Sequence, residues 1–208
     1  MPGPFFSGAV IERVQNLSHT FATFAGGWID IDCTLGVDVG EAVDASRALL
    51  LYNYHCDSAR WKDNDGTSNM LDSGIMRLVD NDTVRLSGDP DSPPLNTTLY
   101  FQIAEFYPGL FRRILRDATL VPTPSHTNAW GDTEISIGDT VDPARSMLFV
   151  DVSFAGVGWQ AVSPLTSFTE SNQFSLKSDG TKIVWGCYRN GTAASGNYLI
   201  SWTILEGY

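Results

Sequence analysis

The sequence is poor in the residues and motifs that build reactive or metal-bound sites. Its three cysteines, Cys33, Cys56 and Cys187, form no CxxC motif and no Cys/His cluster, so we expect no zinc site. There is no GxSxG motif and no phosphate-binding glycine loop opening a helix. The sequence therefore predicts a protein with no enzymatic activity, no metal and no other cofactor. The odd number of cysteines leaves open a disulfide between chains.

Long apolar runs and basic residues are also scarce. No stretch approaches the length of a membrane span, and the first residues, MPGPFF, lack the features of a signal peptide, so we expect neither. The 13 Lys and Arg against 24 Asp and Glu give a formal net charge of −11, which disfavours binding to nucleic acid. The overall composition, with 43% hydrophobic residues, is that of a globular protein. Its aromatic content of 12% favours β-structure and packed interfaces.

The sequence contains an internal repeat about 100 residues long. Residues 42–50, AVDASRALL, return as TVDPARSML at 140–148, and residues 99–105, LYFQIAE, return as ISWTILE at 200–206. A third pair, DNDTVRL at 80–86 and DGTKIVW at 179–185, lies between them. The offsets of these pairs are 98, 101 and 99 residues. Three anchors in one order at almost one offset predict two similar small domains.

Most apolar runs are short, β-branched or aromatic, and bounded by turn residues, which indicates strands. The best helix candidate is Pro108–Arg116, with residues 10–14 as its counterpart, although both could be the opening strand of their domain. We expect strands at Gly27–Cys33, Ala48–Tyr54, Gly74–Leu78, Thr83–Leu86 and Thr98–Glu105, and in the second unit at Thr133–Ile137, Ser146–Phe154, Gln173–Leu176, Lys182–Tyr188 and Tyr198–Leu205.

Strands that follow one another without helical crossovers imply antiparallel pairing. The predicted fold is therefore all-β, with two tandem, internally repeated antiparallel β-sandwich domains. We place an N-terminal arm at residues 1–8, the first domain at 9–107 and the second at 108–208. The final strand of each domain ends in a carboxylate, and we predict that Glu105 pairs with Arg47 and Glu206 with Arg145.

Two chemical alternatives involve acidic residues. Oxygen ligands for calcium could come from turns at residues 63–66, DNDG, and 38–44, where Asp38, Glu41 and Asp44 stand, with Asp139 and Asp142 in the second unit. Neither turn has the spacing of an EF-hand. Asp30 and Asp32 share a strand face and could form the pair of carboxylates that a glycosidase needs, yet the second unit has no equivalent pair. The sequence favours a solvated strand face and structural turns in both cases.

Exposed aromatic residues are the better candidates for binding. Phe5 and Phe6 lie in the predicted arm, and Trp61, Trp130 and Trp159 lie in polar or glycine-rich surroundings. Aromatic side chains of this kind are enriched at contacts between subunits, and they also stack on sugars. We therefore predict that these five residues bind a neighbouring subunit or a glycan.

The repeated segments resemble those of tailed-bacteriophage virion proteins. The opening segment, Val-Asp-x-x-Arg, stands at 43–47 and 141–145, and the closing strand, aromatic-x-Ile-x-Glu, stands at 101–105 and 202–206. The closing strand is also similar to the last strand of H-type lectin-like sandwiches. The resemblance implies a non-enzymatic structural protein located in the virion and assembled in the host cytoplasm, either a capsid decoration protein or a tail or neck accessory protein.

The resemblance also implies partners. We expect a homo-oligomer, a trimer or higher, in contact with other virion proteins such as the major capsid or tail proteins, and no binding to nucleic acid or membrane. The alternative is a lectin-like adsorption protein that binds host surface glycans through loop aromatics, among them Trp61 and Trp159.

Overall fold

The computed structural model describes residues 10–21, 28–34, 40–55, 75–87, 97–122, 129–155, 171–189 and 197–208. Across these ranges the chain consists of antiparallel β-strands and two short 3₁₀ helices, at Ala45–Arg47 and Pro143–Arg145. The predicted all-β, antiparallel fold class is thus confirmed. No helix in the described part of the chain is long and apolar enough to cross a membrane.

The twelve described strands fall into two sets of six with the same topology. Each set forms two three-stranded sheets, in the orders β1-β6-β3 and β2-β5-β4 for what we call unit 1, and β7-β12-β9 and β8-β11-β10 for unit 2. The strands of unit 1 are β1 (Ile11–Phe21), β2 (Trp28–Asp32), β3 (Ala48–His55), β4 (Ile75–Leu78), β5 (Thr83–Ser87) and β6 (Thr97–Phe106). Those of unit 2 are β7 (Arg113–Pro122), β8 (Ala129–Ser136), β9 (Ser146–Ala155), β10 (Ser171–Leu176), β11 (Lys182–Arg189) and β12 (Asn197–Glu206).

All ten expected strands are present, with ends that move by a few residues, and the helix interpretation of Pro108–Arg116 is wrong. Residues 107–112 form a turn in which the Leu110 N–H donates to the Tyr107 carbonyl at 3.2 Å, and Gly109 has a φ of 81°. Strand β7 begins at Arg113 and pairs with β12 along its whole length. Strand β1 pairs with β6 in the same way, so each unit's first strand lies beside its last.

The two sheets of each unit share one hydrophobic core, an arrangement like that of a β-sandwich. In unit 1, Phe101 and Ile103 of β6 pack with Val84 and Leu86 of β5. In unit 2 the centre is Trp185, which is fully buried. Its ring stacks on Phe174 at 6.1 Å between centroids and meets Tyr198 edge-on at 5.1 Å. Aromatic contacts of this geometry add to the stabilisation that burial provides.

The two units pack directly against each other. Leu49 and Phe106 of unit 1 and Leu205 of unit 2 are buried in one cluster, which Leu110, Phe111 and Ile114 complete. The rings of Phe106 and Phe111 meet edge-on, with centroids 5.0 Å apart. Burying each such side chain contributes about 1.5–3 kcal/mol. The short connection between β6 and β7 is therefore part of an apolar contact that joins the units.

Candidate functional site

A buried glutamate closes the last strand of unit 1. Glu105 is 3% exposed, and its Oε2 accepts from Nε and Nη2 of Arg13 at 3.1 and 2.5 Å. Its Oε1 accepts from the Asp44 N–H at 3.1 Å and lies 2.5 Å from Nη2 of Arg47. The predicted contact between Arg47 and Glu105 is thus present, and a second arginine completes it.

The same arrangement recurs in unit 2. Glu206 is 1% exposed, and its Oε2 accepts from Nε of Arg113 at 2.6 Å while its Oε1 accepts from the Asp142 N–H at 2.8 Å. Arg13 and Arg113 occupy equivalent positions, because each lies directly opposite its glutamate in the sheet. We refer to each buried glutamate, its opposing arginine and the adjoining turn as a polar node.

The prediction for Arg145 needs correction. Its Nε lies 3.4 Å from Asp142, its side chain is 61% exposed, and the ion pairs of Glu206 are instead with Arg113 and Arg112. The difference has an electrostatic reason. In unit 1, Glu12 attracts Arg47 towards the node, whereas the equivalent position in unit 2 is Arg112, whose like charge disfavours the approach of Arg145.

Arg13 and Arg113 are the functional residues that sequence reasoning missed. Beyond the glutamate, Nη1 of Arg13 donates to Glu41 at 2.6 Å, and Nη1 of Arg113 donates to Asp139 at 2.6 Å. The available signal was their spacing of 100 residues, close to the repeat offset. These turn acids, considered above as calcium ligands, thus serve as partners of arginine. The described residues contain no cluster of three or more His, Cys, Asp or Glu suited to a metal ion.

The polar nodes have the chemistry of structural contacts. Burial alone would raise the pKa of Glu206, but the hydrogen bond from the Asp142 N–H and the guanidinium of Arg113 outweigh it and hold that pKa below its usual range. A general acid requires the opposite shift. The ionised carboxylate instead accepts several hydrogen bonds at once and joins the first strand, the last strand and the turn of its unit.

A second polar site lies where the units meet, in a cavity of about 250 Å³. Its walls include Arg116 and Asp151 of unit 2 and Tyr52 and Arg77 of unit 1. Nη2 of Arg116 donates to the carbonyls of Ala45 and Ala48, at 2.6 and 2.7 Å, so this arginine connects β7 to the 3₁₀ helix of unit 1. Burial lowers its pKa to about 10, which leaves it cationic at neutral pH.

The other two charged groups of the cavity, Asp151 and Arg77, make weaker contacts than Arg116. Burial raises the pKa of Asp151, and a hydrogen bond with Tyr52 opposes that effect. Arg77 lies 3.7 Å from Asp117, and its buried Nε has no hydrogen-bond partner within the described structure. The cavity therefore combines charged groups with the ring of Phe149, which is a chemical mixture that could receive a small polar molecule.

The predicted binding aromatics are not brought together by any described contact. Phe5, Phe6, Trp61 and Trp159 lie outside the described residues. Trp130 belongs to β8, opposite Tyr188, but its side chain is likewise outside the described part. These five residues remain predictions.

Comparison with known proteins finds no matching family model, no curated protein and no solved structure with significant similarity. The similarity that can be traced in atomic detail is internal. It comprises the identical strand order of the two units and the matching contacts of Glu105 and Glu206. What the chain does must therefore be inferred from its own contacts and surfaces.

Proposed function

We propose that this chain is a non-enzymatic structural protein of a tailed-bacteriophage virion, either a capsid decoration protein or a tail or neck accessory protein. The observation that carries the proposal is the duplicated polar node. Glu105 and Glu206, the two most deeply buried carboxylates described, are both used to hold strand ends together. Buried carboxylates that bind strand ends and a turn fix the relative positions of these elements. A fixed geometry of this kind suits a role in assembly.

Direct packing of the two units supports a mechanical role. The apolar cluster around Leu205 and the two hydrogen bonds of Arg116 connect unit 1 to unit 2 over a short connection. One chain thus presents two similar but differently covered sandwiches to its neighbours. Duplicated surfaces of this kind suit a lattice or ring in which one protein meets similar partners at two places.

The proposed partners are further copies of the chain, as a trimer or higher oligomer, and a major capsid or tail protein. The net charge of −11 is compatible with this location, because an acidic protein assembled beside packaged DNA avoids binding it. The resemblance of the repeated segments at 43–47 and 141–145 to virion proteins gives the proposal its specific setting.

Native mass and location test the proposal. Light scattering of the purified chain should give a trimer or larger species, and antibodies against it should label purified particles produced from the genome that carries its gene. A run with reductant shows whether a cysteine contributes to the oligomer. Particles that lack the protein, together with a monomer at every concentration, would contradict the proposal.

The inter-unit cavity favours one alternative, a lectin-like protein that binds host surface glycans. Tyr52 and Phe149 offer rings to a sugar, and Arg116 and Asp151 offer hydrogen-bond groups. A glycan array with the intact chain tests this alternative. Binding that Phe149→Ala or Trp61→Ala abolishes, while the native mass stays the same, would favour it over the structural proposal.

A further inference from the structure

The outer faces of the four sheets differ in charge and in covering. On the sheet β2-β5-β4, Arg85 pairs with Asp30 at 2.6 Å and lies over the Trp28 ring. On the sheet β8-β11-β10, Glu134 pairs with Lys177 and Lys182. These ion pairs are typical of solvated surfaces, and on the first face only the edge at Arg77 of β4 among the described residues lines the inter-unit cavity. The remaining two sheets, β1-β6-β3 and β7-β12-β9, are the ones that contain the polar nodes.

Part of the outer face of β7-β12-β9 is covered by unit 1. Ser201, at its centre, is 6% exposed, and Leu205 is 2% exposed although both side chains point away from the core of unit 2. Ile114 of β7 packs in the inter-unit cluster. Unit 1 therefore covers this face around Ser201 and Leu205, whereas Met147 and Phe149 on β9, on the same face, are 53% and 39% exposed.

The equivalent face of unit 1 is buried at one end, where Leu49, Ala104 and Phe106 lie, and open at the other. Tyr100, which stands where Ser201 stands in unit 2, is 53% exposed, and two other outward residues of the same face, Val14 and Leu51, are 46% and 43% exposed. A groove of about 520 Å³ runs across this surface. We define the open face as six outward side chains of the sheet β1-β6-β3 that stay exposed or half-buried, namely Val14, Asn16, Ser18, Leu51, Tyr100 and Gln102.

The open face carries no formal charge, which is unusual in a chain with 24 acidic and 13 basic residues. The nearest outward acid on β1, Glu12, lies at the end of the strand and is paired with Arg47. Two molecules of net charge −11 repel each other wherever their charged surfaces meet. That repulsion is weakest at an uncharged face. Burying the exposed apolar side chains of such a face also stabilises the contact.

We propose that the open face binds a second copy of this chain. The inference rests on the proposed function, which requires oligomers, and it names the surface through which they form. The precedent lies within the molecule, because unit 1 covers the corresponding positions of unit 2 at Ser201 and Arg116. Tyr100 is the central anchor, since an exposed tyrosine beside a groove is the type of residue that dominates binding at interfaces.

Charge placed on the open face tests the inference. Tyr100→Glu and Leu51→Glu should each shift the oligomer to smaller species and raise its dissociation constant by about tenfold or more. Both side chains are exposed, so the variants should keep the melting temperature of the parent chain. Gln173→Glu is the matched control, because it adds the same charge to the outer face of β10 and should leave the native mass unchanged.

The outcomes separate this inference from the proposed function. If the parent chain forms an oligomer that survives both variants unchanged, the open face is not the contact and the proposed function still stands. If the parent chain is a monomer at every concentration and is absent from particles, the proposed function fails and the inference fails with it. Loss of the oligomer in both face variants but not in Gln173→Glu supports the inference.

Discussion

At the scale of single residues, the most costly groups in the fold are the buried glutamates. A carboxylate with 1% exposure, such as Glu206, is tolerated because Arg113 and the Asp142 N–H replace the water it has lost. Removing one member of a buried ion pair leaves the other charge desolvated and unpaired. The stability of the chain should therefore depend on these carboxylates far more than on exposed ones.

The first prediction concerns Glu206→Gln. The substitution keeps the shape of the side chain but removes the charge opposite Arg113, and we expect the free energy of unfolding to fall by about 3 kcal/mol at neutral pH. Urea denaturation measures the change. Glu134→Gln is the control, because Glu134 also pairs with two cations but is exposed, and its effect should be small. Equal effects of the two substitutions would contradict the role of the polar node.

The second prediction concerns how the difference in the free energy of unfolding between the parent chain and Glu206→Gln depends on pH. The pKa of Glu206 is lower in the folded chain than its usual value, so its contribution to stability is complete above about pH 4.3, the usual pKa of glutamate. That contribution is lost as the pH falls through the folded pKa. The difference in the free energy of unfolding between the parent chain and Glu206→Gln should thus become smaller in urea titrations run at successively lower pH. If that difference in free energy stays constant down to the pH at which the chain unfolds in acid, the charge of Glu206 is not its cause.

The third prediction concerns the thiol of Cys33. The residue is 4% exposed, and burial raises the pKa of its thiol to about 11, so it stays protonated and unreactive at pH 8. A thiol reagent should modify Cys33 only after unfolding. Any oligomer that reductant dissociates must then depend on Cys56 or Cys187, and it should persist in Cys33→Ser. Rapid modification of Cys33 in the folded chain would contradict this assignment.

At the scale of elements, a tight turn sets the position of the second 3₁₀ segment. Gly180 lies between β10 and β11, with a φ of 70°, and its carbonyl accepts from the Val141 N–H at 2.9 Å. A Cβ at this position would lie 1.8 Å from the Val141 carbonyl oxygen. The backbone of the turn and the segment leading to Asp142 are therefore in contact, and only glycine permits the approach.

The fourth prediction compares two glycines with the same φ. Gly138 also has a φ of 70°, but nothing lies within 4 Å of where its Cβ would be. Gly138→Ala should cost about 1 kcal/mol from backbone strain alone. Gly180→Ala adds the steric conflict with Val141 and should cost about 2–4 kcal/mol in thermal or urea unfolding. If both substitutions lower the free energy of unfolding by similar amounts, the backbone at Gly180 and Val141 can move apart to accommodate the added Cβ.

Which elements could be read from the sequence follows from what covers them. Strands such as β2 and β5 face one core and water, so their alternating apolar residues identify them. In β7, Ile114 packs against unit 1 and Leu115 against the core of unit 2, so neighbouring positions are both apolar. Coverage on both sides removes the alternation, and this is why the segment resembled a helix.

At the scale of the whole molecule, the duplication and the two glutamates could be found from the sequence, but the contact between the units could not. The repeat marks positions that both units need, such as Glu105 and Glu206. Arg116, by contrast, has Asn16 as its counterpart, and its partners are backbone carbonyls of Ala45 and Ala48. Contacts between repeats use the residues in which the repeats differ, and a carbonyl acceptor leaves no mark on the sequence.

The fifth prediction is that Arg116 couples the unfolding of the two units. Arg116→Met keeps the apolar stem but removes two charge-assisted hydrogen bonds to unit 1, a loss of about 3 kcal/mol. We expect calorimetry of the parent chain to show one cooperative transition and that of Arg116→Met to show two, because each unit retains its own core. Arg145→Met is the control, since Arg145 is exposed and touches only its own unit in the described contacts, and it should keep the single transition. If both variants unfold in one step with equal enthalpy, the apolar cluster around Leu205 is sufficient to hold the units together and Arg116 does not couple them.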